Sequence, residues 1–284
     1  MTEQNTYPVT DWKGQSGEHW VANQARLDAM VAVFGEAAIK AAMPAKGERV
    51  LDIGCGAGAS SLALAARVGA GGQVLGVDIS EPLIDRARAL MPYATPALFQ
   101  VADASRAEMP EGSFDILFSR FGVMFFDDPI GAFAHMRRTL RPGGRVAFVC
   151  WRGVADNDWM RLPIEALKSI VPLPDLASLS PFSFGDSGRV AHILTAAGFT
   201  DIAIAPFDVS VPFGKGGTRD AAIDDAVKMT LEVGPLSRAL VDQPDDVRAC
   251  AWNAVRAVFT GLADEGAVMI GGAAWIVTAR NPSN

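Results

Sequence analysis

A chain of 284 residues, 50% hydrophobic and 20% charged, can build one large domain or two small ones around a sizeable core. Its net charge of -7 argues against a nucleic-acid partner, because that binding runs on Lys and Arg displacing counterions, and points to small-molecule chemistry. Three scattered cysteines (Cys55, Cys150, Cys250) give neither a disulfide framework nor a metal site, no apolar run reaches the roughly 18 residues of a membrane span, and Met1–Asn5 carries no signal pattern, so a reducing cytoplasm is the expected setting.

The first predicted element lies between Asp11 and Phe34. Trp12, Trp20, Leu27, Met30, Val31 and Phe34 form a helical pattern from about Trp20 onward, apolar on one face. It precedes the first strand, so it must pack on the domain from outside, as a helical cap over residues 1–45 that covers a ligand cleft. His19 and Trp20 stand at its start. A second short helix, Glu36–Met43, is closed by Pro44 and Gly47.

Val50–Gly58 (VLDIGCGAG) reads as a buried strand, a tight glycine loop and the start of a helix that runs to Val68. Such a loop carries backbone N–H groups up to a ligand, and Gly54, Gly56 and Gly58 remove the Cβ atoms that would hold a nucleoside off. A second strand, Gln73–Ile79, contains Asp78 near its end, twenty residues beyond Gly58, where a carboxylate reaches a ribose diol. Ser80 and Pro82 open the next helix.

Three more strand units follow in core residues 46–152: Ala97–Val101 ending near Asp103, Phe114–Ser119, and Arg145–Trp151, the last preceded by a sharp stop at Leu140–Gly144. Alternating strands and helices imply a parallel sheet with right-handed crossovers and ligands at its carboxyl ends. In residues 153–284 the pattern loosens into a proline-broken stretch, a helix over Gly188–Gly198 and a strand from Phe199 reaching toward Val211. A one-faced helix over Pro244–Leu262 then leads to a last strand in two pieces, Val268–Ile270 and Ala274–Ala279.

The glycine loop alone also satisfies a relaxed dinucleotide fingerprint. Asp52 inside the first strand and Asp103 after the third break the tie: carboxylates disfavour a pyrophosphate and suit a cationic sulfonium bearing an amino group. Five motifs stand in order, VLDIGCGAG (Val50–Gly58), GVDIS (Gly76–Ser80), VADA (Val101–Ala104), FDILFSRFGVMFF (Phe114–Phe126) and LRPGGRVAFVCW (Leu140–Trp151). With them the chain resembles a class I S-adenosylmethionine-dependent methyltransferase of the UbiE-like small-molecule group.

The resemblance implies an α/β fold: a Rossmann-like, doubly wound, seven-stranded and mostly parallel sheet with an antiparallel last strand, and helical inserts after strand five and before the last strand. It implies S-adenosyl-L-methionine as cofactor, with Gly54, Cys55 and Gly56 along its methionyl part and Asp78 on the ribose hydroxyls. Ile79 would lie against the adenine, Asp103 would accept from its amino group with Ala104 beside it, and Ser119 and Arg120 would stand near the methyl. Asp52, Gly58 and Trp20 complete the expected cofactor-binding set.

Methyl transfer from an activated donor needs a base only when the acceptor must lose a proton. His19, in the covering segment, is the best candidate for a base, and Arg120 is the other expected catalytic residue; His135 reads as a packing or surface residue, and His192 lies in a helix far along the chain. Strand-end acids such as Asp127 and Asp128 could suggest a metal, but Asp156–Asp158 lies too far beyond Trp151 to complete a site, so no metal is expected. The expected acceptor is a small aromatic, quinone or polyketide-like compound methylated on oxygen or carbon, roofed by residues such as Trp151, Trp159, Phe182, Phe184, Met229 and Trp252. A non-catalytic cofactor-binding regulator and a small-amine N-methyltransferase stay open as alternatives, as does assembly into a homodimer.

Overall fold

The computed structural model of the protein describes residues 15–173, 180–232, 235–240 and 242–283. Seven strands form one sheet: β1 (Arg49–Ile53), β2 (Gln73–Asp78), β3 (Ala97–Val101), β4 (Phe114–Arg120), β5 (Leu140–Trp151), β6 (Thr200–Lys215) and β7 (Ala267–Arg280). Their order is β3-β2-β1-β4-β5-β7-β6. The first five run parallel, and β7 lies antiparallel to both β5 and β6, as expected for the last strand.

The apolar runs of β1, β4 and β5 are explained by position. These strands are central, covered on both faces, and bury Leu51, Leu117 and Phe148 completely. Strand order reverses between β1 and β4, and a doubly wound sheet opens a crevice at that point, beyond the carboxyl ends of its strands.

Helices α1 (Gln15–Ala22) and α2 (Gln24–Ala42) precede the sheet. α3 (Ala59–Val68), α4 (Glu81–Leu90) and α5 (Pro129–Arg137) connect the parallel strands, and Asp128 caps α5 through the Gly131 N–H at 3.0 Å. After β5 come α6 (Asp158–Leu167) and α7 (Ser187–Ala196); between β6 and β7 come α8 (Arg219–Glu232), α9 (Pro235–Leu240) and α10 (Asp245–Thr260). Among the described residues no helix is long and apolar enough to cross a membrane.

Three boundaries differ from the sequence reading. The cap pattern and the short helix Glu36–Met43 are one helix, α2, continuous through Gly35. That glycine answers a packing need, since a Cβ there would meet the Arg120 Cδ at 2.9 Å. Leu140–Gly144, read as a helix stop, already belongs to β5: pairing jumps from Phe114–Leu140 to Ile116–Arg145, so the glycines bulge out without ending the strand. The two pieces of the last strand are one, paired with β6 straight through Gly271 and Gly272.

Candidate functional site: a cleft with a carboxylate-flanked end and an aromatic end

A cavity of about 310 Å³ lies at the strand-order reversal, walled by the ends of β1, β2, β4 and β5 and by α1, α2, α8 and α9. Its first end is the glycine loop. Gly54 and Cys55 both donate to the Val77 carbonyl, at 2.9 and 3.1 Å, which folds the loop back over β2. Gly54 and Gly56 take the left-handed conformation, with φ of 64° and 54°. A Cβ on Gly54 would lie 2.8 Å from the Gly122 Cα, whereas one on Gly56, a residue of the cavity lining, would meet nothing within 4 Å.

Asp78 closes this wall. Its Oδ2 accepts from the Gly56 N–H and its Oδ1 from the Ser80 N–H, both at 2.9 Å, and burial raises its carboxyl above the ordinary value. The Ile79 N–H also bonds to the carboxylate, which leaves one of its roughly four acceptor positions for a ligand hydroxyl. Ile79 and Ala104 line the same end. Asp103 also faces it; against the upward push of burial, hydrogen bonds from Ser105 (2.6 Å) and Arg106 (2.6 Å) hold its carboxyl below the ordinary range. Two carboxylates beside open glycine backbone fit an adenosyl ligand with a cationic sulfonium.

Three residues of the expected set stand behind this wall. Asp52 is fully buried, its Oδ2 accepting from Ser60 and Ser61 at 2.7 and 2.6 Å while its Oδ1 has no partner. It therefore braces α3 against β1. Burial pushes its carboxyl up to about 6. Gly58 caps α3, where a Cβ would strike the Phe99 ring at 2.8 Å. The Ser119 hydroxyl donates to the Ile53 carbonyl at 2.7 Å and accepts from the Gly122 N–H at 3.1 Å, stapling β4 to β1.

Arg120 does line the cavity, but its guanidinium is bound to Asp28 of α2 at 2.6 Å, with the two side chains only 12% and 18% exposed. This is a fastening of the cap to the sheet. Trp20 of α1 also reaches the cavity wall. His19 lies on α1, and its side chain, like Trp12, falls outside the described residues. His135 sits on α5, within 2.9 Å of the Ala107 carbonyl and 2.7 Å of Arg138, and lines no part of the cavity.

The other end is aromatic. Phe121 and Trp151 stack with centroids 4.1 Å apart, Trp159 tilts against Trp151 at 5.2 Å, and Met30, Phe213 and Met229 close the wall. Of the expected roof residues, Trp151, Trp159 and Met229 are there. Phe182 stacks on Trp159 from behind, Phe184 packs into the core between Phe133 and Phe148, and Trp252 does not reach the cavity. Among the described lining residues the titratable groups are Cys55, Asp78, Asp103 and Arg120, and burial pushes the Cys55 thiol well up.

Sequence reasoning missed two supports. Asn157, fully buried, accepts from the Trp159 indole at 2.9 Å and from the Ala273 N–H at 2.9 Å, while its amide donates to the carbonyls of Arg152, Gly153 and Ala273. It sets the pose of Trp159, yet in sequence it is one polar residue in an acidic triplet. Arg26 pairs with Asp225 at 3.0 Å and donates to the Phe213 carbonyl at 3.4 Å, tying α2 to α8.

Residues 51–148 match a family described as a methyltransferase domain. The chain is 39% identical over 117 residues to aklanonic acid methyltransferase DauC of Streptomyces sp. (strain C5), covering 40% of this chain and 53% of that protein. It is 32% identical over 175 residues to nocamycin O-methyltransferase of Saccharothrix syringae, covering 56% and 61%. The matches thus span a little over half the length of these relatives. Phosphoethanolamine N-methyltransferase 2 of Haemonchus contortus, solved with S-adenosyl-L-methionine, shares the fold at a TM-score of 0.51 and 20% identity, over 87% of this chain and 52% of that one. A matching domain, a sheet of this order and a glycine loop flanked by strand-end acids agree: residues 51–148 form a methyltransferase domain, within a fold of the class I S-adenosylmethionine-dependent methyltransferase type.

Proposed function

We propose that the protein transfers a methyl group from S-adenosyl-L-methionine to an oxygen or carbon of a small aromatic, quinone or polyketide-like molecule. The observation that carries the reading is a single cavity joining the Gly54–Gly56 loop and its acids to an end lined by Phe121, Trp151 and Trp159. The relatives named for aklanonic acid and nocamycin support a small-molecule acceptor, and one named for 2-methyl-6-phytyl-1,4-hydroquinone supports a quinone-type ring. In this reading residues 46–152 serve the cofactor, while residues 1–45 and 153–284 enclose the acceptor.

Asp78 would accept from the ribose hydroxyls and Asp103 from the adenine amino group, with Ile79 against the ring and the backbone of Gly54–Gly56 along the methionyl part. Bound there, S-adenosyl-L-methionine supplies a methyl already activated on a sulfonium. The chain's share of the chemistry is then orientation and exclusion of water: the apolar wall desolvates the acceptor, and Arg120 keeps α2 closed over it. No described side chain at the aromatic end is a free base, which suits an acceptor that is acidic or ionised before it attacks.

The test is turnover with S-adenosyl-L-methionine and a panel of phenols, hydroquinones and 1,3-dicarbonyl aromatics, read by mass spectrometry for one added methyl and for S-adenosylhomocysteine. Methylation of at least one aromatic acceptor is expected. Methylation confined to amines, or cofactor binding without any turnover across the panel, would contradict it.

A further inference from the structure

Just past β4, Phe121 has φ of 60°, a left-handed backbone that a bulky side chain adopts only under constraint. The constraint is visible on both sides. Its N–H donates to the Val149 carbonyl at 3.0 Å, extending the ladder to β5. Immediately after it, a Cβ built on Gly122 would fall 2.9 Å from the Gly54 Cα, and one on Gly54 2.8 Å from the Gly122 Cα. The turn at Phe121 thus presses Gly122 onto the cofactor loop and swings the Phe121 ring into the cavity wall.

The ring is the outer member of an aromatic stack. Trp151 lies against it at 4.1 Å and 19°, and Phe34 stands edge-on to Phe121 and Trp151 at 5.7 and 5.0 Å. Trp151 is 6% exposed, whereas Phe121 is only half-buried and faces the cavity. One residue therefore links the loop that holds the cofactor to a flat π surface, and backbone contact fixes the spacing between them.

We infer that Phe121 is the acceptor-binding platform of the site: a planar conjugated ring stacks on it and is thereby placed at a set distance from the glycine loop. The inference rests on the methyltransferase reading and narrows its acceptor to flat, unsaturated rings. The strained backbone persists because relaxing it would uncouple the ring from Gly54.

The probes are 2-naphthol and its saturated counterpart decahydro-2-naphthol, titrated calorimetrically into the full chain preloaded with S-adenosylhomocysteine. Wild type should bind 2-naphthol about three- to tenfold more tightly, the range expected of one aromatic stack. Phe121→Leu should erase that preference and Phe121→Tyr keep it, with S-adenosylhomocysteine affinity within about twofold of wild type in both. Equal binding of the two probes by wild type, which requires no variant to fold, would overturn the inference. So would a Phe121→Leu protein that binds S-adenosylhomocysteine normally and keeps the preference. If wild type does not bind S-adenosylhomocysteine, the methyltransferase reading fails, and the platform is judged on the naphthol preference of the free protein.

Discussion

Arg120 at the end of β4 and Asp28 on α2 meet at 2.6 Å in a setting mostly closed to water, and this contact decides what Arg120 does. A guanidinium so paired cannot act as a free charge in the cavity; it anchors the helix that roofs it. Asp28→Asn should lower unfolding stability in urea by about 1–3 kcal/mol, because a charge-assisted bond is lost while the arginine stays largely desolvated. The double variant Asp28→Ala/Arg120→Ala should lose less than the sum of its single changes. Additive losses would mean that the pair contributes nothing.

The glycine loop offers a contrast of two neighbours. Gly54→Ala forces a Cβ into the Gly122 backbone and should destabilise the fold visibly in thermal melts. Gly56→Ala meets nothing within 4 Å and should cost only about 1–2 kcal/mol for its left-handed backbone. Gly56 nevertheless lines the cavity, and an added methyl on the loop proposed to hold the methionyl part should lower S-adenosylhomocysteine affinity by roughly tenfold or more. Unchanged affinity in a folded Gly56→Ala protein would move the ligand off this loop.

Asp52 gives the stability a pH dependence. Folding raises its carboxyl from 3.8 to about 6, so between those values the folded protein holds a proton that the unfolded chain has released. This contribution is full below about pH 4, is lost as pH rises through 6, and then stays lost. Asp52→Asn removes it. Wild type should therefore lose up to roughly 3 kcal/mol relative to Asp52→Asn between pH 4 and 7 in urea unfolding of the ligand-free protein. Parallel pH profiles would show that the buried carboxyl does not titrate in this range.

Asp78 serves both the loop and the ligand. Asp78→Ala removes the acceptor for the Gly56 N–H and for the ribose hydroxyls together, and should weaken S-adenosylhomocysteine binding by roughly 1–3 kcal/mol in calorimetry. Wild-type affinity in that variant would place the ribose contact elsewhere.

The sheet core was legible in sequence because its parallel strands are apolar runs, closed after β1 by Gly54, at the end of β2 by Asp78 and soon after β3 by Asp103, and the order of those runs implies the crossovers. That Asp78, Ile79, Asp103 and Ala104 line the crevice was legible for the same reason: strand ends converge on it. Asp52 and Ser119 were the right residue types at the right strands, but the period of two along a strand does not reveal which face the next helix covers. Asp52 turns to Ser60 and Ser61, and Ser119 to Ile53. The aromatic end was only partly legible, since Met30, Phe121, Trp151, Phe213 and Met229 lie on five separate segments joined by tertiary packing alone. α2 was read as two helices, one pattern ending at Phe34 and a second beginning at Glu36; what seats Gly35 inside one helix is the Arg120 side chain, which comes from β4.

The most direct test of the account is calorimetric titration of the wild-type chain with S-adenosylhomocysteine. The geometry at Gly54–Gly56, Asp78 and Asp103 predicts saturable binding at one site per chain, weakened in Asp78→Ala and Gly56→Ala. No detectable heat of binding at millimolar ligand, with the chain shown to be folded, would contradict the central claim.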